Sequence, residues 1–281
     1  MRPNFFIVGA PKCGTTSLAD WLSAHPDVFM PALKEPHFFS DDMKNRTVTN
    51  QSEYESLFRG AGSARAVGEA STWYLYSSTA ARNIEAAVKD AKYIVLTRDP
   101  AAMAVSLYHH NRRMLAEDSE TFEMAWSLQS ARKNSTNIPP NCLEPAALQY
   151  KDACSLRTMT SRLLQTVDPR RVFGASLEDI RNDPRRVYVQ VLNFLGLPDD
   201  GRSDFPLRNP AREPKSRALQ VLIRRAARVK KALGIYHASG ISRLNERAIE
   251  KAVVSEQAME EVTRSLAQET VIWRDRERSN R

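Results

Sequence analysis

The chain has 281 residues, 42% of them hydrophobic and 26% charged, with a formal net charge of +8 and three cysteines. Length and apolar content suit one large α/β domain spanning 1–281, with a basic, helical C-terminal part from about 202. Cys13, Cys142 and Cys154 are too few and too unevenly spaced for a disulfide framework or a zinc site, so a reducing, cytoplasmic compartment is expected. No stretch reads as a signal peptide or an integral membrane segment.

Phe5 to Val8 form an apolar run suited to a buried parallel strand, and Leu18, Ala19, Trp21 and Leu22 then recur at helical spacing up to His25-Pro26. Between them Gly9 and Gly14 permit close backbone approach. The unpaired amides from Gly14 to Ser17 and the helix dipole converge on one small volume suited to an anion. The two glycines have the spacing of a nucleoside-triphosphate loop, but the lysine sits early, at Lys12, and Thr15 follows Gly14. Thr15, Thr16 and Ser17 are thereby free to bond anion oxygens, and no metal is demanded. Cys13 faces the same anion through its backbone; a nucleophilic role for it is disfavoured.

Further along, residues 66–71 (AVGEAS) read as a strand followed by a helix through about Val88. Tyr93 to Leu96 form another buried strand, Asp99 is a good helix N-cap, and Pro100 suits the first helical position. Arg98 then lies at a strand's carboxyl end, where ligands of open α/β sheets bind. Ser106 lies roughly 10 Å along the following helix and reaches the same ligand only if that helix leans over it. Arg171 to Ser176 predict a strand and Arg185 to Leu195 a helix ending at Gly196. Alternating strands and helices predict a three-layer, P-loop-like α/β domain with a central, mainly parallel sheet. Residues 134–145 and 199–214 read as proline-rich polar loops.

From Arg202 to Lys231 ten basic residues face only Asp204 and Glu213. Leu219, Leu222, Ile223, Ala226, Val229 and Leu233 recur there at helical spacing, predicting an amphipathic helix with a solvated basic face. Without interleaved aromatic residues, nucleic-acid readout is not expected. A last helix is predicted from about Asn245 to Trp273.

The segments at 5–26 and 93–110 together resemble sulfotransferases that use 3′-phosphoadenosine 5′-phosphosulfate (PAPS). The resemblance implies that Lys12 through Ser17 bind the 5′-phosphosulfate, that Arg98 and Ser106 bind the 3′-phosphate, and that Lys215 and Arg217 belong to a basic segment closing over the nucleotide. LKEPHFFSDD at 33–42 is similar to the segment from which carbohydrate sulfotransferases of the heparan type draw a catalytic glutamate, here Glu35. Pro36 favours an extended backbone at Glu35, and Phe38 and Phe39 are expected to bury its neighbourhood enough to raise its carboxyl. Glu69, at a strand's carboxyl end, is the rival base, and His37 is a candidate to orient the acceptor or Glu35. His109 and His110 are not expected in the site. Lys12 would steady the leaving phosphate oxygen. The expected acceptor is a hydroxyl or amine on a carbohydrate or small metabolite. Two alternatives stay open: a P-loop kinase in which Asp99 holds magnesium, and a non-catalytic nucleotide- or polyanion-binding module.

Overall fold

A computed structural model describes residues 2–206 and 254–273, with scattered positions between 212 and 248. Five short apolar runs form the strands β1 (Phe5–Gly9), β2 (Val28–Phe29), β3 (Ala66–Ala70), β4 (Lys92–Thr97) and β5 (Val172–Ser176). They pair in the order β2-β3-β1-β4-β5, every pairing parallel. All residues of β1 and β3 are buried, as a sheet covered by helices on both faces requires. Phe6 of β1 stacks on Tyr93 of β4 and meets Phe39 edge-on, joining both neighbours into one core.

The helices lie between and beyond these strands: α1 (Thr15–Ser23), α2 (Gln51–Ser56), α3 (Ala80–Ala87), α4 (Pro100–Arg113), α5 (Phe122–Ser127), α6 (Gln129–Lys133), α7 (Tyr150–Ala153), α8 (Leu156–Thr166), α9 (Leu177–Asn182), α10 (Pro184–Leu195) and α11 (Glu256–Leu266). From β1 the chain runs toward β2 at one edge, and from β4 toward β5 at the other. The carboxyl ends of adjacent β1 and β4 therefore flank the crevice where open α/β sheets bind ligands. Helices α4 to α8 form a long excursion before β5. Within it the buried Glu117 carboxylate takes two 2.7 Å bonds from Arg132 and one from Tyr150 at 2.7 Å, so no charge is left unpaired.

Most predicted elements appear within a residue or two of their expected bounds, with Asp99 capping α4 through Ala102 N–H (2.7 Å) and Gly196 closing α10 at a φ of 77°. Three expectations need correction, and one strand was not expected. The two-residue β2 is too short to leave a periodic signal. The helix expected after residue 71 starts only at Ala80, because the Ser77 hydroxyl accepts the Thr79 and Ala80 amides and begins the helix there. The loop expected at 199–214 ends in a strand, β6 (Arg212–Pro214), which pairs antiparallel with β7 (Glu246–Ala248). The last helix accordingly does not begin near Asn245; Ser255 caps its start by accepting from Ala258 N–H.

Positions 219, 222, 223 and 226 of the basic segment are helical, but Leu219 and Leu222 are exposed, so this part of the expected apolar stripe is not buried. Lys215, Arg217 and most of that segment lie outside the described residues. At the far end, Trp273 donates its indole N–H to Thr97 Oγ1 (2.9 Å) and covers Gly174. Among the described residues no helix is long and apolar enough to cross a membrane.

Gly9 fixes the start of the loop after β1: a Cβ there would lie 2.8 Å from Leu75 Cβ and 2.9 Å from the Thr72 carbonyl oxygen. Gly9→Ala is expected to cost about 2 kcal/mol or more, because a backbone oxygen cannot move aside cheaply. Urea denaturation of wild type and variant measures this loss.

Candidate active site

The loop between β1 and α1 is anchored at its base by Ala10 N–H donating to the Leu96 carbonyl of β4 (2.6 Å). Gly14, at a φ of 89°, turns the chain into α1 without any side chain capping the helix, and no acidic residue lies in the first turn. The N-terminus of α1 therefore keeps its positive potential and open amides. Thr15 and Ser17 are buried and Thr16 half-buried beside it. The Cys13 side chain turns the other way, 3.4 Å from the Pro11 carbonyl and 3.8 Å from Met103 Sδ, and burial pushes its thiol up to about 12. Only its backbone is left for an anion.

Arg98 follows β4, and its Nη1 donates to the Lys12 carbonyl at 3.2 Å, so the two segments meet directly. Among the described residues, Arg98 Nε is buried without a partner. Burial, with the charges of Arg113 and Arg98, pulls the Lys12 ammonium down to about 8 against the opposing pull of Glu35. Three cations thus crowd one uncapped helix start. A phosphate-bearing anion fits this charge pattern and the orphaned guanidinium nitrogen.

Ser106, His110 and Arg113 are spaced i, i+4 and i+7 on α4 and share a face. Arg113 acts on Lys12 and His110 on Glu35. That face, and half-buried Ser106 with it, is therefore turned to the crevice. The helical spacing was the available signal for His110 and Arg113, which the sequence reading left out of the site. Lys34 was missed as well: its Nζ donates to Thr16 Oγ1 and lies 3.9 Å from Glu35 Oε1.

The segment carrying Glu35 docks on the carboxyl end of β3. Glu35 N–H donates to the Ala70 carbonyl (2.9 Å), and His37 N–H to Ser71 Oγ (3.0 Å). Glu35 and His37 both have positive φ, 59° and 51°, so the extended backbone expected before Pro36 is not found; the chain turns there and brings the two side chains together. His37 Nε2 stands 3.4 Å from Glu35 Oε2; the histidine is buried, whereas 38% of the glutamate side chain remains exposed. Burial raises the Glu35 carboxyl, but the hydrogen bond and charge of His37, with Lys34 and His110, outweigh it and hold the group at about 2.

Glu69 is fully buried, which pushes its carboxyl up. It accepts from Tyr54 (2.6 Å) and Tyr74 (3.1 Å) on one oxygen and from Ser71 (2.5 Å) on the other. Ser71 in turn accepts from His37 N–H, and Tyr74 Oη from Phe39 N–H at 3.2 Å. Phe38 stacks on Tyr54 at 4.3 Å. Glu69 therefore sits beneath the 35–39 segment and fastens it to β3. Asp99, needed for magnesium in a kinase, spends its carboxylate on the α4 cap. Among the described residues no three metal-ligating side chains cluster.

A parallel sheet, a lysine-bearing loop after its central strand and an arginine just past the adjacent strand define an α/β domain of the P-loop-like type. The chain belongs to the family of sulfotransferase domains, whose model matches residues 2–209. It is similar to a sulfotransferase from Alicyclobacillus acidocaldarius, with 30% identity and a TM-score of 0.66 over 86% of this chain and 99% of that one. It is also similar to human carbohydrate sulfotransferase 15, 26% identical over 248 residues (69% of this chain and 44% of that protein). Human heparan sulfate glucosamine 3-O-sulfotransferase 3B1 is 33% identical over 106 residues, covering 38% of this chain and 26% of that one. The chain thus spans less than half the length of either of these two relatives.

The folded carboxyl of Glu35 at about 2 lies below the ordinary glutamate value of about 4.3. It stabilises the fold at pH values above that ordinary value and loses this contribution as pH falls through about 2. The stability difference between wild type and Glu35→Gln should therefore shrink as pH falls below about 5. Denaturant titrations across that range check the slope; a difference independent of pH would contradict the His37–Lys34 cradle.

Proposed function

We propose that the chain transfers the sulfuryl group of PAPS to a hydroxyl or amine acceptor, with Glu35 as general base. The observation that carries this reading is the meeting of Lys12 and Arg98 at one uncapped helix start, with Glu35 close enough to act on Lys12. The amides and hydroxyls of residues 14–17, with Lys12, would hold the 5′-phosphosulfate. Arg98, through its unpartnered Nε, and Ser106 would hold the 3′-phosphate.

In the reaction a bond forms from the acceptor oxygen or nitrogen to sulfur as the bond from sulfur to the 5′-phosphate oxygen breaks. The acceptor proton passes to Glu35, and adenosine 3′,5′-bisphosphate leaves. Lys12 stabilises the charge that builds on the departing phosphate oxygen. A carboxyl held at about 2 is by itself a feeble base. The donor's negative charges, brought among the same cations, oppose the carboxylate and raise its proton affinity toward the working range. His37 fixes the orientation of Glu35, and Glu69 positions both through Ser71.

A carbohydrate acceptor is the class favoured by the likeness of KEPHFF to carbohydrate enzymes and by the names of the similar human proteins. The donor pocket calls on no metal among the residues named. A reducing, cytoplasmic setting accords with three free thiols, two of them buried.

Transfer of labelled sulfate from PAPS to a panel of glycans, phenols and amines tests the reading. Glu35→Gln should lower kcat about 10²-fold or more, the scale of a lost general base. Lys12→Ala should lower kcat by a similar factor, as for a lost transition-state donor. Normal turnover by both variants would overturn the roles. Affinity of the wild type for adenosine 3′,5′-bisphosphate should fall as pH rises past about 8, where Lys12 loses its charge, and Lys12→Met should remove that dependence.

A further inference from the structure

We infer that Lys34 grips the transferring sulfuryl group itself rather than the nucleotide carrying it, an assignment that rests on the donor reading above. Lys34 is carried by the segment pinned to the end of β3 through Glu35 N–H and the Ala70 carbonyl (2.9 Å). Its ammonium donates to Thr16 Oγ1 on the first turn of α1 and stands 3.9 Å from Glu35 Oε1. One end of that short span is the anion loop, and the other is the carboxylate that receives the acceptor proton. The group being transferred must cross between them.

The cations divide the work by position. Lys12 shares its field with Arg113 and Arg98, which oppose its charge, as well as with Glu35, which supports it. Lys34 is instead flanked by Glu35 and, on α1, by Asp20, both of which support its charge against burial. An ammonium has three donors, and Thr16 takes one. The remaining two are available to the oxygens of the sulfuryl group, and 30% of the side chain is still exposed to an incoming ligand. Lys34 keeps its proton throughout: the sulfur–oxygen bond to the phosphate breaks, the bond to the acceptor forms, and the released proton goes to Glu35. A lysine suits this place better than an arginine, because a compact point charge can follow oxygens that move during transfer, whereas a planar fork is fixed to one geometry.

Two ligands that differ only by the sulfuryl group separate this role from general nucleotide binding. Calorimetric affinities for PAPS and for adenosine 3′,5′-bisphosphate are measured without acceptor on wild type, Lys34→Met and Lys34→Arg. Lys34→Met should weaken PAPS about tenfold or more, as expected for a lost hydrogen bond from a charged group, and the bisphosphate less than about threefold. Lys34→Arg should fall between. Lys34→Gln takes the place of the methionine variant if thermal unfolding shows the latter to be misfolded.

A second readout is the acid limb of the pH dependence of kcat. It should move upward in Lys34→Met, because Glu35 then loses one of the cations that hold its carboxyl down, while His37, His110 and Lys12 remain. Equal weakening of both ligands, no weakening, or an unmoved acid limb would overturn the assignment. A wild type that binds neither nucleotide would overturn the donor reading, and this inference with it. A wild type that binds both, while Lys34→Met loses both alike, would overturn only the role of Lys34.

Discussion

Lys12 and Arg98 are both cations, yet the fold brings them together at the carboxyl ends of two adjacent strands. Like charges in a partly buried crevice repel, and the pull of Lys12 down to about 8 expresses burial first and then the repulsion of Arg113 and Arg98. The backbone tolerates it because the contact itself is favourable: Arg98 bonds the Lys12 carbonyl, not its ammonium. The Lys12 ammonium keeps its charge for Glu35 and, in the proposed function, for an incoming anion. The sheet's strand order, the left-handed turn at Gly14 and the uncapped start of α1 all serve to keep this excess in place.

The acceptor half is built differently. Its carboxylate is surrounded by donors before any ligand arrives, and the surroundings rest on a second carboxylate buried one layer below. Glu69 is satisfied by three hydroxyls, so it is costly to disturb and well suited to fixing the chain above it. Glu35, with more than a third of its side chain exposed, is the carboxylate that a ligand can reach. The two glutamates that rivalled one another as bases thus separate by exposure and by partners.

Much of this architecture was legible from residues alone. Phe5 to Val8 and Tyr93 to Leu96 could only be buried strands, and Asp99-Pro100 could only begin a helix, so the neighbours of Lys12 and Arg98 followed. The adjacency of the two strands was not legible, since order within a sheet is set by crossovers rather than by local pattern. Lys34 carried no local signal, because its partner, Thr16, is distant in sequence. His110 and Arg113 carried a readable helical spacing from Ser106, but which face of α4 meets the crevice depends on packing. The surroundings of Glu69 depended on Tyr54, contributed by a helix whose approach to β3 no periodicity announces. The end of the chain misled for a simpler reason: a helical pattern from 245 onward ran through a stretch whose backbone pairs with residues 212–214 instead.

The most direct measurement is a crystal structure of the chain soaked with adenosine 3′,5′-bisphosphate. The expected density puts the 5′-phosphate against the amides of residues 14–17 and the ammonium of Lys12, and the 3′-phosphate on Arg98 and Ser106. A nucleotide bound with neither phosphate at these positions would contradict the reading of the crevice between β1 and β4 as a donor site.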